Sequence, residues 1–232
     1  MKKILFLVTL LTLFISNLSA SETFQDAVNA YEKQNYNEAL LILKSLALKS
    51  DVNSQFSLGV IYHEGIAVTQ NYIEALKWYK LAAAQGDASA QFNLGCLYED
   101  GKGVKQDYAK AIKWYMLAAA HGNASAQNNL GSLYDDGHGV KQDYVEAFNW
   151  YVLAAEYGNA TAQYNLGEMY ANGHGVSQNN ISAHMWFNLA ALQGFSKASD
   201  SKDIVSKLLT AKQLTMAKKL AFECESKNYK NC

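Results

Sequence analysis

The chain has 232 residues, half of them hydrophobic, with 20 basic and 21 acidic side chains and a formal net charge of −1. This is enough apolar material for a sizeable core in one or two domains. No basic stripe stands out, which disfavours nucleic acid as the partner. The sequence has no proline, so every backbone amide can donate a hydrogen bond, as long helices require.

The N-terminal segment differs from the rest of the chain. Two lysines precede an apolar run from Ile4 to Ile15, and the segment ends on the small residue Ala20. This layout is typical of a secretory signal peptide, and the apolar run is too short to span a bilayer. We predict a signal peptide at 1–20, cleaved after Ala20, with an uncleaved anchor as the alternative. The mature protein is then expected in the periplasm or secreted, without membrane insertion.

A period of 36 residues organises most of the sequence. A Leu-Gly pair recurs at this spacing, and every tryptophan follows the same register. The glycines of the pair are Gly59, Gly95, Gly131 and Gly167, and the tryptophans are Trp78, Trp114, Trp150 and Trp186. Such a period is the signature of a repeat architecture. We predict repeats at 51–86, 87–122, 123–158 and 159–194, after a partial repeat at 21–50 and before capping helices at 195–232.

Each repeat is predicted to form two antiparallel helices. The first begins after an Asp or Asn that can accept a hydrogen bond from the free amides, and it ends at a glycine suited to a left-handed cap. The caps are Asp51, Asp87, Asn123 and Asn159, and the glycines are Gly65, Gly101, Gly137 and Gly173. The second helix starts after Asn71, Asp107, Asp143 or Asn179. Asn71 with Glu74, and Asp143 with Glu146, resemble capping boxes.

The ends of the chain follow this scheme less closely. Residues 24–33 and the segment from Tyr36 are expected to form the helices of the partial repeat. Residues 196–209 and 214–226 are expected to form two closing helices.

The glycine of the Leu-Gly pair lies inside the first helix, where glycine costs roughly 1 kcal/mol relative to alanine. Its recurrence predicts close helix packing at this position. We expect Tyr98, Trp114 and Tyr115 to fill the remaining space, and we assign these aromatic residues to packing rather than to a cofactor site.

Residues 88–122 carry the pattern Ala-x-Ala-Gln-x-x-Leu-Gly-x-x-Tyr-x-x-Gly-x-Gly-Val-x-x-Asp-Tyr-x-x-Ala-x-x-Trp-Tyr-x-x-Ala-Ala-x-x-Gly. This pattern closely resembles the Sel1-like repeat, a relative of the tetratricopeptide repeat. The resemblance implies an all-α fold, a right-handed α-solenoid superhelix of antiparallel helix pairs whose concave face presents side chains to a protein or peptide. It also implies a scaffold for protein–protein interactions in envelope assembly, signalling or host contact, without a cofactor and not an enzyme.

The alternative function comes from the same resemblance. Cysteine-rich secreted relatives are credited with binding or hydrolysing β-lactams or peptidoglycan fragments. Those proteins carry paired cysteines within their repeats, and this chain lacks such pairs. Ser199 and Lys202 show the Ser-x-x-Lys spacing of penicillin-recognising enzymes, but the companion Lys-Thr-Gly is missing.

Variation between the copies indicates where a partner would bind. At four positions of the first helix the residue type changes from repeat to repeat, whereas the packing positions keep the same residue. The spacing of these four positions places them on one side of the helix. We predict that this side lines the binding groove, with a merely solvated face as the alternative. The predicted partner-binding residues are Phe56, His63, Phe92, Asn93, Glu99, Asn128, Asn129, Asp135, Tyr164, Asn165 and Glu168.

Cysteines and histidines give weaker signals. Cys224 and Cys232 lie eight residues apart. In an exported protein they can form a disulfide, but the spacing alone does not determine the pairing, so a disulfide and two free thiols both stay open. Cys96 is expected to be a small packed residue. His138 and His174 lie one period apart, but a metal site needs three or four ligands, so we expect exposed loop histidines and no metal.

Overall fold

The computed structural model describes residues 22–232, so the predicted signal peptide and its cleavage site lie outside the described residues. Within this range all regular structure is helical. The helices are α1 (Phe24–Glu32), α2 (Tyr36–Leu48), α3 (Val52–Glu64), α4 (Tyr72–Ala84), α5 (Ala88–Asp100), α6 (Tyr108–Ala120), α7 (Ala124–Asp136), α8 (Tyr144–Glu156), α9 (Ala160–Asn172), α10 (Asn180–Leu192), α11 (Ser196–Ser206) and α12 (Ala211–Ser226).

The helices stack as consecutive pairs. Each first helix (α3, α5, α7, α9) packs on the second helix of its own repeat (α4, α6, α8, α10), and each second helix also contacts the following first helix. The first helices begin 36 residues apart. The predicted all-α solenoid is therefore confirmed.

Polar side chains fix the start of each repeat helix as predicted. Asp87, for example, accepts a hydrogen bond from the amide of Ala90 at 2.6 Å. The first helix then ends at a glycine with positive φ, which is 70° at Gly101. Such left-handed backbone favours glycine because it has no Cβ.

The predicted capping boxes at the second helices are wrong. Asn71 accepts bonds from the first-turn amides, but its own backbone amide donates to the Tyr62 carbonyl at 2.8 Å rather than to Glu74. The Glu74 carboxylate accepts a bond from Lys77 instead. The same cap without a return bond occurs at Asp143. Complete capping boxes lie at the ends of the stack, at Thr23 before α1 and at Thr210 before α12.

The helical glycine of each repeat faces an aromatic ring of its own second helix. A Cβ built on Gly131 would lie 2.5 Å from Tyr151, and one on Gly167 would lie 2.5 Å from Phe187. These distances are far below van der Waals contact, so the ring occupies the space that any larger residue would need. Tyr115 takes this place against Gly95, whereas Trp114 is only half-buried at the edge of the core.

A buried glutamine joins each repeat to the preceding helix pair. The side-chain amides of these glutamines donate to backbone carbonyls in the last turn of the previous second helix, at 3.1 Å from Gln55 to Ala47 and 3.3 Å from Gln91 to Ala83. Carbonyls at a helix end lack partners within the helix. Each of these carbonyls also accepts a bond from a turn amide, for example from Ser50 to Ala47 at 3.0 Å, so the glutamine adds a second bond that ties one repeat to the next.

The C-terminal end departs from the expected closing pair. Helix α11 stops at Ser206 and α12 begins at Ala211, and α12 packs back on α10 rather than beside α11. Its effect is clear at Leu189, which is 1% exposed, whereas Leu117 at the same position two repeats earlier is 48% exposed. The packing of α12 on α10 is a long-range contact, and the 36-residue period does not predict it.

A disulfide joins Cys224 to Cys232 in the structure. The short ring that it closes reaches back to the end of α8. There the Lys230 ammonium lies 3.8 Å from the centre of the Tyr157 ring, and the Asn231 amide donates to Glu156 at 3.2 Å. The tail thereby connects the end of the chain to the third repeat.

The glycine–ring contact predicts the stability of Gly131→Ala. Alanine in an open helical site would stabilise the protein by about 1 kcal/mol, but here the methyl group collides with Tyr151. We expect a loss of about 1–3 kcal/mol, typical of overpacking, measured by urea unfolding. Adding Tyr151→Leu should recover part of the loss, and Ser125→Ala on the exposed side of α7 should be nearly neutral. A stabilised Gly131→Ala protein would contradict the contact.

Candidate functional site

Successive first helices contact one another in part of the stack. Contacts join α3 to α5 and α5 to α7. We call the side of these helices that carries the four variable positions the groove face.

Aromatic residues form the first row of the groove face. Phe56 and Phe92 lie against the core tyrosines of their own repeats, with ring centres 6.0 and 5.8 Å apart. Tyr164 lies between Phe187 and Phe195, at 5.5 and 5.0 Å. Each ring is half-buried, so one side rests on the core and the other stays accessible.

The N-terminal end of the groove face contains an apolar cavity of about 290 Å³. Helix α1 contributes Phe24, Val28 and Tyr31 to its wall, and α3 contributes Phe56 and Val60. Sites for drug-sized ligands usually have about 300–1,000 Å³. This volume is at the lower limit and suits one or two apolar side chains of a partner.

The α1 residues of this cavity were missed by the sequence analysis. They occupy the same positions as Phe56, Val60 and His63, but at an offset of 32 residues instead of 36. The loop at 33–35 is four residues shorter than its counterpart at 65–71, which breaks the register between the first helices. Alignment of the last residue of α1, Glu32, with the last residue of α3, Glu64, reveals the correspondence.

Hydrogen bonds connect the polar residues in the middle of the groove face. The Tyr115 hydroxyl donates to Glu99 at 2.5 Å and accepts a bond from the Asn129 amide at 3.1 Å. Asn165 donates to Asn128 at 3.2 Å, which links neighbouring repeats. Burial raises the pKa of Tyr115 far above its ordinary value, so the phenol stays protonated and keeps Glu99 in place.

Three predicted residues of the groove face carry carboxylates: Glu99, Asp135 and Glu168. They are half-buried, and among the described residues none of them forms a salt bridge with a lysine. Burial raises the pKa of Asp135, and the neighbouring Asp136 raises it further. Glu168 accepts a long bond from Ser201, at 3.4 Å.

The remaining predicted residues occupy intermediate environments. His63 packs edge-on against Tyr72 and Tyr79, at 5.3 and 6.1 Å between ring centres. Asn93 is half-buried on the groove face. All eleven predicted residues thus lie along one side of α3, α5, α7 and α9, although the cavity at α1 and the bonds through Tyr115 were not foreseen.

The weaker sequence signals have structural roles. His138 stacks on Tyr108 of the preceding repeat at 5.0 Å, and His174 on Tyr144 at 4.6 Å, so these exposed loop histidines join repeats. Cys96 is half-buried beside Tyr115, and burial raises the pKa of its thiol to about 11. At neutral pH it is therefore a protonated packing residue with little nucleophilic character.

Residues 22–232 offer no metal centre and no membrane span. No group of three or more histidine, cysteine or acidic residues is arranged to hold a metal ion in that range. No helix in the described part of the chain has both the length and the apolar character needed to cross a bilayer.

Comparisons with known proteins agree with this geometry. The Sel1 repeat model matches residues 52–87, 88–123, 124–159 and 160–195, each starting one residue after the units defined above. The solved structure of a Sel1 repeat protein from Oxalobacter formigenes is 30% identical, with a TM-score of 0.75, over 88% of this chain and 83% of that one.

A second solved structure shares the fold over a longer chain. It is c5321, described as a protective antigen present in uropathogenic Escherichia coli strains displaying an SLR fold, and it is 29% identical with a TM-score of 0.58. The match covers 89% of this chain but only 54% of that protein. No curated protein matches the chain. The four family matches cover well over half of the sequence, and the chain therefore belongs to the Sel1 repeat family.

Proposed function

We propose that this protein is an exported scaffold that binds a protein or peptide along its groove face. Sel1 repeats generally mediate protein interactions. The observation that carries the proposal is the arrangement of the variable residues. Half-buried aromatic rings, and carboxylates that form no salt bridge among the described residues, occupy the variable positions of the first helices, while the fixed residues of each repeat pack the core. Aromatic residues on a rigid, partly desolvated surface are typical of binding hot spots.

Two features support export. The N-terminal segment has the layout of a signal peptide, and Cys224 and Cys232 are paired. Disulfides persist in oxidising compartments and are rare in the cytosol. The specific setting that we favour is the cell envelope or a contact with a host cell.

The alternative of β-lactam or peptidoglycan-fragment chemistry has less support. Ser199 is exposed on α11, without the enclosed surroundings that activate a nucleophile. A scaffold remains the function that the geometry favours.

Alanine substitutions on the groove face test the proposal. A partner would first be captured from envelope extracts with the purified chain, identified by mass spectrometry, and purified for affinity measurements. Phe92→Ala, Tyr164→Ala and Asp135→Ala are each expected to weaken binding by about tenfold or more, as hot-spot truncations do.

Phe222→Ala provides the matched control for these variants. This phenylalanine is 71% exposed on α12, away from the groove face, and its removal should leave the affinity unchanged. Circular dichroism would establish that each variant is folded. If all three groove variants kept the affinity of the unmodified protein, the groove face would be a solvated surface that does not bind the partner.

Asp135 offers a test that needs no partner. Burial raises its pKa, so the ionised form is less stable in the folded protein than in the unfolded chain. Asp135→Asn should therefore raise Tm at neutral pH by about 1 °C, since solvent screening limits the effect to a few tenths of a kcal/mol. The destabilisation exists above the folded pKa and disappears as the pH falls through it, so the two melting curves should converge in acid.

A lower Tm for Asp135→Asn at neutral pH would show that the carboxylate stabilises the fold. Asp203→Asn, at an exposed site on α11, provides the control for a general loss of negative charge.

Export predicts the covalent state of the purified protein. The mature chain should begin at Ser21, and a digest under non-reducing conditions should yield a peptide with Cys224 cross-linked to Cys232. N-terminal sequencing and mass spectrometry of protein from fractionated cells measure both. Retention of Met1 together with two free thiols in the cytoplasmic fraction would exclude export.

A further inference from the structure

Basic residues are absent from the first helices of the four repeats, whereas the second helices together carry both lysines and glutamates. The first helices α3, α5, α7 and α9 contain no lysine or arginine, although the chain has 20 such residues. They contain six carboxylates: Glu64, Glu99, Asp100, Asp135, Asp136 and Glu168. The first helices are therefore acidic, although the net charge of the chain is only −1. An acidic surface attracts cations and repels anions at long range.

The groove face is apolar at its N-terminal end and carries carboxylates farther along the stack. At the N-terminal end the groove face is lined by Phe24, Val28, Phe56 and Val60 around the cavity. The carboxylates at the variable positions of the groove face begin with Glu99 in the next first helix. A partner that matches both parts needs an apolar anchor at one end and positive charge along the rest.

Amide side chains run beside the carboxylates and favour an extended partner. Asn93, Asn129 and Asn165 occupy the same position in the second, third and fourth repeats, and an amide side chain can both donate to and accept from a peptide backbone. The amides of Asn129 and Asn165 each use a donor within the protein. Asn93 and the Asn165 oxygen have no hydrogen-bond partner in the described structure.

Spacing completes the match. Packed helices lie about 8–10 Å apart, and an extended chain rises about 3.3 Å per residue. One repeat of the groove face therefore corresponds to about three residues of an extended partner.

We propose, as a deepening of the scaffold function proposed above, that the groove face binds an extended cationic segment of a partner protein. An apolar side chain of the segment enters the cavity between α1 and α3, and lysine or arginine side chains at about every third residue pair with Glu99, Asp135 and Glu168. Complementary charge supplies specificity and speeds association, and the cavity fixes the register.

The probe for this proposal is a synthetic fluorescent peptide. It carries phenylalanine followed by lysine at every third position, with serine and glycine between. Two control peptides replace the lysines with glutamates or the phenylalanine with serine. Fluorescence anisotropy with the purified chain at low salt should show at least about tenfold tighter binding of the lysine peptide than of the glutamate peptide, and the preference should fall as salt rises.

Variants of the protein locate the binding site of the probe. Glu99→Gln combined with Asp135→Asn should weaken binding of the lysine peptide by about tenfold or more and reduce its salt dependence. Phe56→Ala should weaken it while leaving the salt dependence unchanged, because it alters the apolar end alone. Glu225→Gln, at an exposed site on α12, is the control and should bind normally.

The outcomes separate this proposal from the scaffold function. Equal binding of the lysine and glutamate peptides, or full affinity in the Glu99→Gln, Asp135→Asn variant, overturns the cationic partner. If the alanine variants still lose the captured natural partner in that case, the groove face binds a partner of other chemistry. If they do not, both proposals fail.

Discussion

The contact between a helical glycine and an aromatic ring governs the structure of every repeat. It fixes the first helix against the second, because any side chain at Gly95 would occupy the space of Tyr115. It also determines what reaches the groove face. The ring of Tyr115 is buried, but its hydroxyl reaches Glu99 and Asn129. A packing residue thus positions the polar side chains that we assign to binding.

The fourth repeat lacks this hydroxyl, and its carboxylate Glu168 therefore has a different hydrogen-bond donor. Phe187 replaces tyrosine against Gly167, so the core cannot supply a donor to the groove face. Glu168 receives its bond from Ser201 of α11 instead. The two C-terminal helices therefore differ in what they contact. Helix α11 provides the bond to Glu168, and α12 packs on α10.

Prediction from the sequence is correct for the helix ends that local caps within a repeat determine, although the capping boxes predicted at the second helices are wrong. Helix ends, for example, depend on local caps such as Asp87 and Gly101, and these were predicted correctly. Prediction fails where the structure depends on contacts outside the period. The fold-back of α12 results from tertiary packing, and the role of Phe24 was hidden by a shorter loop. The buried glutamines were visible as a pattern, but their carbonyl partners in the preceding repeat were not.

The strongest argument for a binding role of the groove face is energetic. A solvated helix face tolerates charges of either sign, and lysines would relieve the repulsion between neighbouring carboxylates such as Asp135 and Asp136. The first helices nevertheless contain no lysine, and the pKa of Asp135 is raised by burial and by Asp136. Proteins keep such unfavourable arrangements mainly at functional sites, where stability is exchanged for activity. A cationic partner that neutralises these carboxylates would recover the lost stability in the complex.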